Sequence, residues 1–337
     1  MKKRIFIAAI LALCAVIAFC ACGNTPEATT EASTAPVATD AEYTQSPEII
    51  TVENGLEYKS NADGGCTVVR ASTELTGDIV IPSEHDGLAV TAIGDEAFDS
   101  CAGITSVKLP AGVKTIGQFA FSHCSSLESV TLGKETARIG DFAFFACTSL
   151  KSFCVPAENA TFVSSGGAIY SVFGDLVAVP ATTAGEFTVD NGTYEIAPCA
   201  FISCSRITKI VLPETVEEIG DYAFDGCSAL TELTLPDSVT AIGEYAFSFC
   251  ASLEKLAVPA GVAKISDGAF WCCDALKEIT LPAGVTEIGE DAFYDCVSLE
   301  KIIFGGTLSE WESVEKRDGW NTGTDLTVIC SDVAPEE

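Results

Sequence analysis

Cysteine offers the most chemistry in this sequence of 337 residues, which contains 16 cysteines but only 2 histidines. Eight of the cysteines recur at intervals of 23 residues, in one run of three and one run of five. These ladder cysteines are Cys101, Cys124, Cys147, Cys204, Cys227, Cys250, Cys273 and Cys296. Such a series could supply disulfides, metal ligands or a nucleophile, because cysteine sulfur serves in all three roles.

The regular spacing of the ladder cysteines favours packing over reaction. Each one follows an Ala-Phe pair at the same distance, so we expect each to face inward as a small apolar side chain with a free thiol. Disulfides between neighbouring repeats remain the alternative, because strands about 4.8 Å apart would bring their Cα atoms within bonding range. Cys272 and Cys273 lack a second Cys or His pair at zinc spacing, and we predict no metal site.

Acid–base catalysis finds equally little support in the sequence. His123 precedes Cys124, but consecutive residues of a helical turn point in different directions, and the other seven ladder cysteines have no histidine beside them. We therefore predict that the chain is not an enzyme and uses no cofactor.

A row of carboxylates also recurs with the repeat, and calcium binding is one explanation for it. We instead expect the aspartates to be N-caps of short helical turns, and the glutamates to be favourable charges at the same amide groups. The residues concerned are Asp95, Asp141, Asp221, Glu244, Asp267 and Glu290.

The elements that hold these residues belong to one repeated unit, which we call a rung. In each copy the pattern Leu-x-x-Leu-x-Leu alternates apolar and polar residues and predicts a short parallel strand with inward apolar side chains. An isoleucine such as Ile219 and an Ala-Phe pair such as Ala223-Phe224 follow at fixed spacing. A 23-residue period repeated about ten times predicts a solenoid in which no rung can fold alone.

The rung from Leu230 to Cys250, LTELTLPDSVTAIGEYAFSFC, resembles the repeats of the BspA-like leucine-rich repeat family of bacterial surface proteins. The resemblance covers about residues 50–331. It implies a β-rich solenoid, a leucine-rich repeat superhelix with short parallel strands and short helical turns. It also implies exposure at the cell surface and adhesion or other protein interaction, but it names no ligand.

The N-terminus predicts export and a lipid anchor. Residues 1–21 begin with three basic residues and continue as an uncharged apolar run, which is typical of a lipoprotein signal peptide. The run ends at Ala21-Cys22-Gly23, which is similar to the bacterial lipobox and makes Cys22 the predicted lipidation site. Simple secretion and a retained membrane helix are the alternatives. Residues 22–47, rich in Thr, Ala, Pro and Glu, are predicted to be the lipidated cysteine and a disordered linker.

The rest of the chain is divided by the repeat register. We predict an N-terminal cap and first rung at 48–92, leucine-rich repeats at 93–306 and a C-terminal cap and tail at 307–337. The repeats are interrupted near 157–195, where the glycines around Ala168-Ile169-Tyr170 predict an inserted hairpin within a divergent rung.

The charge balance limits the partners that the chain can take. It has 18 Lys and Arg against 48 Asp and Glu, a net charge of −30, which excludes nucleic acid because a polyanion requires a basic surface. An anionic membrane would also repel the chain, so we expect membrane contact through the lipid anchor only. The expected location is extracytoplasmic, on the bacterial cell membrane or cell surface.

Two surface features are candidates for binding an extracellular protein or glycan. On the strand face, charges alternate from rung to rung, as in Lys255, Glu278 and Lys301, so this face is expected to neutralise itself. Beside the Ala-Phe pairs lies a row of aromatic residues, which could bind a partner or could simply cover neighbouring rungs. The candidate partner-binding residues are Tyr222, Tyr245, Phe249, Trp271 and Tyr294. We predict a non-enzymatic adhesion or binding module, and the alternative is a structural or capture component of the envelope.

The lipobox interpretation is testable by the substitution Cys22→Ala. The variant is expected to lose labelling by fatty acid and to be either released or retained unprocessed, because the cysteine predicted to carry the lipid is absent. Metabolic labelling and N-terminal sequencing measure both effects. Unchanged labelling, or a mature N-terminus elsewhere, would contradict the assignment.

Overall fold

The computed structural model describes residues 50–322 and 326–332 of this chain. The predicted signal peptide, Cys22 and the linker lie outside the described residues. Each regular rung contributes two strands and a run of turns. The first strand comes from the Leu-x-x-Leu-x-Leu segment, and the second ends at the isoleucine that recurs in each repeat, such as Ile219. The turns end at the ladder cysteine. The predicted β-solenoid with a 23-residue period is confirmed.

The first row of strands, here the long-strand face, is parallel throughout. Lys255 pairs with Glu278 and Glu278 with Lys301, so neighbours in register lie one repeat apart. The strands of this face are β4 (Thr76–Val80), β7 (Gly103–Lys108), β9 (Ser129–Thr131), β11 (Ser152–Cys154), β15 (Ala184–Thr188), β17 (Arg206–Val211), β19 (Glu232–Leu233), β21 (Lys255–Ala257), β23 (Glu278–Leu281), β25 (Lys301–Phe304) and β27 (Thr327–Cys330).

The second row, here the short-strand face, consists mainly of two-residue strands. Ile219, for example, pairs with Ile242 of the next rung. The two-residue strands are β8 (Thr115–Ile116), β10 (Arg138–Ile139), β16 (Glu195–Ile196), β18 (Glu218–Ile219), β20 (Ala241–Ile242), β22 (Lys264–Ile265), β24 (Glu287–Ile288) and β26 (Glu315–Lys316).

Antiparallel pairing occurs at the N-terminal end and in the divergent rung. The N-terminal strands are β1 (Ile50–Glu53), β2 (Leu56–Ser60), β3 (Cys66–Ala71), β5 (Glu84–His85) and β6 (Leu88–Ile93). The divergent rung contains β12 (Phe162–Ser165), β13 (Ala168–Ser171) and β14 (Asp175–Ala178), and β14 returns to parallel pairing with β16.

The segment before each ladder cysteine forms consecutive turns where short helical turns were expected. Two residues per rung have positive φ, for example Tyr222 at 57° and Gly226 at 73°. Left-handed residues interrupt a right-handed helix, so the amides bond to the next rung instead. The amide of Tyr222 donates to the carbonyl of Glu244 at 2.9 Å, and that of Phe224 to Ala246 at 2.8 Å. Among the described residues the single α-helix is α1 (Leu308–Ser313), which begins with a Thr307/Glu310 capping box.

The recurring aspartates also bond between rungs, so the N-cap prediction is wrong. Oδ1 of Asp221 accepts the amide of Glu244 at 2.8 Å, and Oδ1 of Asp267 accepts the amide of Glu290 at 3.0 Å. Each amide lies one repeat further along the chain. These carboxylates therefore tie neighbouring rungs together.

The core is a column of stacked phenylalanines beside the cysteine ladder. Phe201, Phe224, Phe247, Phe270 and Phe293 are fully buried, and successive ring centroids lie 5.1–5.4 Å apart. Each ladder thiol donates to a carbonyl of the preceding rung, as from Cys296 to Phe270 at 2.9 Å. All cysteines among the described residues have free thiols, in agreement with the packing interpretation.

The column is interrupted at the divergent rung, where the core separates into two clusters. There Phe144 packs edge-on against Phe153 and Phe201 packs edge-on against Phe187, so Phe144 and Phe201 do not stack on each other across the break. Within the described residues, no helix is long and apolar enough to cross a bilayer.

Deletion of whole segments tests how the rungs depend on one another. Removing residues 228–250 should leave a shorter folded solenoid, because each rung contacts only its neighbours. Removing 307–331 should lower the melting temperature more, because Trp311 and Trp320, which pack on Phe304 and Phe293, would no longer cover the last rung. Thermal melts of the two variants provide the comparison. Equal losses would contradict the cap assignment.

Candidate functional site

The long-strand face carries a ladder of ion pairs. Nζ of Lys255 lies 3.2 Å from Glu278, and Nζ of Lys277 lies 3.1 Å from Glu254. Lys209 lies 3.2 Å from Glu186 of the preceding rung. Exposed pairs of this kind contribute less than about 1 kcal/mol each. These pairs place opposite charges of neighbouring rungs side by side, as the alternating charges predicted.

The predicted binding residues come together in one aromatic row, here Tyr222, Tyr245, Phe249, Trp271 and Tyr294, on the turn segments. The rings of Tyr222 and Tyr245 stack with centroids 5.1 Å apart and planes 7° apart. Trp271 lies 5.9 Å from Tyr294, and Phe249 approaches Trp271 edge-on at 5.1 Å. The row is therefore continuous over these rungs.

The row changes register at Gly268, a feature of the sequence that the prediction of the row did not take into account. Tyr222 and Tyr245 precede an Ala-Phe pair, whereas Trp271 and Tyr294 follow one. Gly268 occupies the position equivalent to Tyr245, and a Cβ there would collide with the Tyr245 ring. Because Gly268 has no side chain, Tyr245 lies over it and meets Trp271 perpendicularly at 6.3 Å.

At its N-terminal end the row continues across the divergent rung. Cys199 stands one repeat before Tyr222, in a position that is aromatic in neighbouring rungs, and its side chain is buried. The ring of Phe142 instead reaches Tyr222 directly, with centroids 4.9 Å apart, and stacks on Phe119 at 4.9 Å. A cavity of about 110 Å³ lined by Phe142, Phe144 and Cys199 lies at this junction.

Burial of the aromatic row is partial. Tyr222, Tyr245, Phe249 and Trp271 are half-buried, and Tyr294 is 36% exposed. Burial raises the pKa of Tyr245 to about 12 and that of Tyr222 further, so both hydroxyls remain protonated donors at neutral pH. The row therefore covers neighbouring rungs and still leaves part of its aromatic surface exposed.

Burial holds three of the ladder thiols in their protonated form. Burial raises the pKa of Cys101 to about 12, and it also raises the pKa of Cys204 and Cys250. A protonated thiol is a poor nucleophile and a poor metal ligand. In the part of the chain that the structure describes, no group of three or more His, Cys, Asp or Glu side chains is arranged to hold a metal ion.

A buried carboxyl, Asp225, was missed by sequence reasoning. It is 7% exposed, and the Ser248 hydroxyl of the next rung donates to it. Burial raises the pKa of Asp225 to about 7, and the Ser248 hydrogen bond opposes that shift. Asp99 and Ser122 form the equivalent pair near the N-terminal end. The 23-residue separation of aspartate and serine is the signal that could have identified both pairs.

The sequence model described as BspA type leucine rich repeat region matches this chain in six copies, at residues 74–166 and 194–314. The chain belongs to this BspA-type leucine-rich repeat family. The gap between the matched ranges contains β13, β14 and β15 of the divergent rung, so the family pattern fails where the hairpin interrupts it. No curated protein matches the sequence significantly.

Three solved structures of bacterial proteins share the fold. A leucine rich cell surface protein from Faecalibacterium prausnitzii A2-165 is 22% identical, covers 82% of this chain and 100% of its own, and has a TM-score of 0.53. The pneumococcal vaccine antigen PcpA is 20% identical over 85% of this chain and 99% of its own, with a TM-score of 0.58. A leucine-rich repeat protein from Eubacterium ventriosum is 19% identical over 86% and 99%, with a TM-score of 0.56.

Asp225 should make the stability of this BspA-type solenoid depend on pH. Its pKa is raised from 3.8 to about 7 in the folded chain, so its contribution is fully present below pH 3.8 and is lost as the pH rises through 7. Compared with Asp225→Asn, the natural chain should lose about 2–3 kcal/mol more of its unfolding free energy between pH 5 and pH 8. Denaturant unfolding of both proteins measures the difference. Parallel pH profiles would show that the carboxyl ionises normally.

Proposed function

We propose that this chain is a non-enzymatic binding module displayed outside the cytoplasm and anchored through lipidated Cys22. The apolar N-terminal run and the lipobox-like Ala21-Cys22-Gly23 support this location. The structural neighbour from Faecalibacterium prausnitzii is itself described as a cell surface protein. Membership of a leucine-rich repeat family supports a protein-binding role.

The aromatic row is the surface proposed to contact an extracellular protein or glycan. Its continuity across successive rungs, with Tyr245 stacked on Tyr222 and Trp271 packed against Tyr294, carries the proposal. Aromatic rings provide large contact areas at a small entropic cost. The ion-pair ladder of the long-strand face is a weaker candidate for partner binding, because its lysines and glutamates already pair with one another.

The rigid repeat also supports recognition by the row. Backbone hydrogen bonds between rungs hold the turn segments in place, as from Tyr245 to Asp267 at 3.0 Å and from Phe249 to Trp271 at 2.8 Å. The rings are therefore ordered before a partner arrives, and binding need not pay to order them. Rungs about 4.8 Å apart allow one ligand 15–20 Å long to touch several rings.

Serine substitutions separate recognition from rung covering. A panel of extracellular-matrix proteins and envelope polymers is first screened against the full chain, and the strongest binder is used in all comparisons. Trp271→Ser and Tyr294→Ser should weaken that binding at least about tenfold, as truncation of aromatic hot spots does. Tyr294→Ser should also lower the melting temperature less than Trp271→Ser does, because Tyr294 is the more exposed of the two residues.

Lys255→Ser is the matched control for this experiment, because it removes an exposed side chain from the long-strand face. It should leave binding unchanged. Binding that persists in the aromatic variants but is lost in Lys255→Ser would move the site to the long-strand face. Loss of melting temperature without loss of binding would show that the rings only cover rungs.

A further inference from the structure

The divergent rung holds an aromatic side chain in solvent. Phe173, in the turn between β13 and β14, is 75% exposed, and the adjacent Val172 is 49% exposed. Tyr194, 52% exposed, lies beside this turn, and its amide donates to the carbonyl of Gly174 at 2.8 Å. We call Val172, Phe173 and Tyr194 the hairpin patch. Exposed apolar residues that cluster in this way are typical of interaction surfaces.

The turn that presents Phe173 is fixed by its own hydrogen bonds. Oγ of the buried Ser171 accepts the amides of Phe173 at 3.2 Å and Asp175 at 3.1 Å, and it donates to Oδ2 of Asp175 at 2.7 Å. Gly174 has a φ of 100°, and a Cβ there would lie only 2.8 Å from the Tyr194 ring. The aromatic anchor is therefore preorganised, which lowers the entropic cost of binding.

Carboxylates of successive rungs flank the patch on the short-strand face. Asp175, Glu195 and Glu218 pair in register on β14, β16 and β18. Burial raises the pKa of Glu195, and the neighbouring carboxylates of Asp175 and Glu218 raise it further. At the same position of later rungs, by contrast, Lys264 lies 3.2 Å from Glu287 and neutralises it. At the acidic edge of the patch, these in-register positions hold only carboxylates, whereas a lysine occupies the equivalent position in a later rung.

We propose that the hairpin patch binds an arginine-rich segment of a partner protein. A guanidinium group stacks on aromatic faces and forms paired hydrogen bonds with carboxylates, so it matches Phe173 and Tyr194 beside Asp175 and Glu195. A second copy of this chain fits poorly, because two molecules of net charge −30 repel each other. The patch lies on the short-strand face of the divergent rung, whereas the aromatic row lies on the turn segments.

The test uses the full chain and a short fluorescent peptide of alternating arginine and leucine, with a matched peptide that has glutamate in place of arginine. Fluorescence anisotropy should show binding of the arginine peptide alone, weakened as salt is raised. Phe173→Ser should weaken binding at least about tenfold. The double variant Glu195→Gln, Glu218→Gln should weaken it and reduce its salt dependence. Val80→Ser, which removes a 70% exposed side chain from β4, is the matched control and should bind normally.

Several outcomes would overturn the proposal. They are the absence of arginine-peptide binding, equal binding of both peptides, and unchanged affinity in Phe173→Ser with its melting temperature also unchanged. Sedimentation that shows dimers abolished by Phe173→Ser would make a second copy the occupant. Trp271→Ser should leave peptide affinity intact, so the hairpin patch and the aromatic row can fail separately.

Discussion

Each rung of this solenoid depends on its neighbours for the partners of its backbone groups. On the long-strand face and the short-strand face, the backbone groups of each strand form hydrogen bonds with the strands of neighbouring rungs. On the turn segments, backbone amides donate to carbonyls of the next rung. These bonds fix the spacing between rungs, so identical side chains one repeat apart are forced into contact. The phenylalanine column, the thiol–carbonyl bonds and the Lys–Glu ladder all follow from that spacing.

Periodicity made the fold and much of the candidate site predictable. It identified which residues are equivalent, and therefore the strands, the inward cysteines and the alternating charges. It could not give the sign of φ, so helical turns were expected where Tyr222 and Gly226 are left-handed, and N-caps where Asp221 bonds to the next rung. The contact between Phe142 and Tyr222 was also hidden, because it depends on how the divergent rung is accommodated.

The hairpin patch lies where the repeat is broken, whereas the aromatic row crosses regular rungs and changes register within them. The aromatic row changes register at Gly268, and the hairpin patch belongs to the rung that the family pattern does not match. On the long-strand face, regular positions hold Lys and Glu residues that neutralise their counterparts in the next rung, as Lys255 and Glu278 do. In the divergent rung, by contrast, Phe173 remains largely exposed, and Glu195 lies beside other carboxylates that raise its pKa.

The left-handed residues also restrict how such a surface can evolve. The two positive-φ positions of each regular rung are filled by Glu96, Phe119, Phe142, Cys199, Tyr222, Tyr245, Gly268 and Asp291, and by Ser100, His123, Ala146, Ser203, Gly226, Phe249, Cys272 and Asp295. Charged, aromatic, small and polar residues all occur, but valine, isoleucine and threonine do not, because branching at Cβ conflicts with this backbone. These turn positions thus accept side chains of very different chemistry, provided that the side chain is not branched at Cβ. New binding specificities can therefore arise there without any change to the backbone of the solenoid.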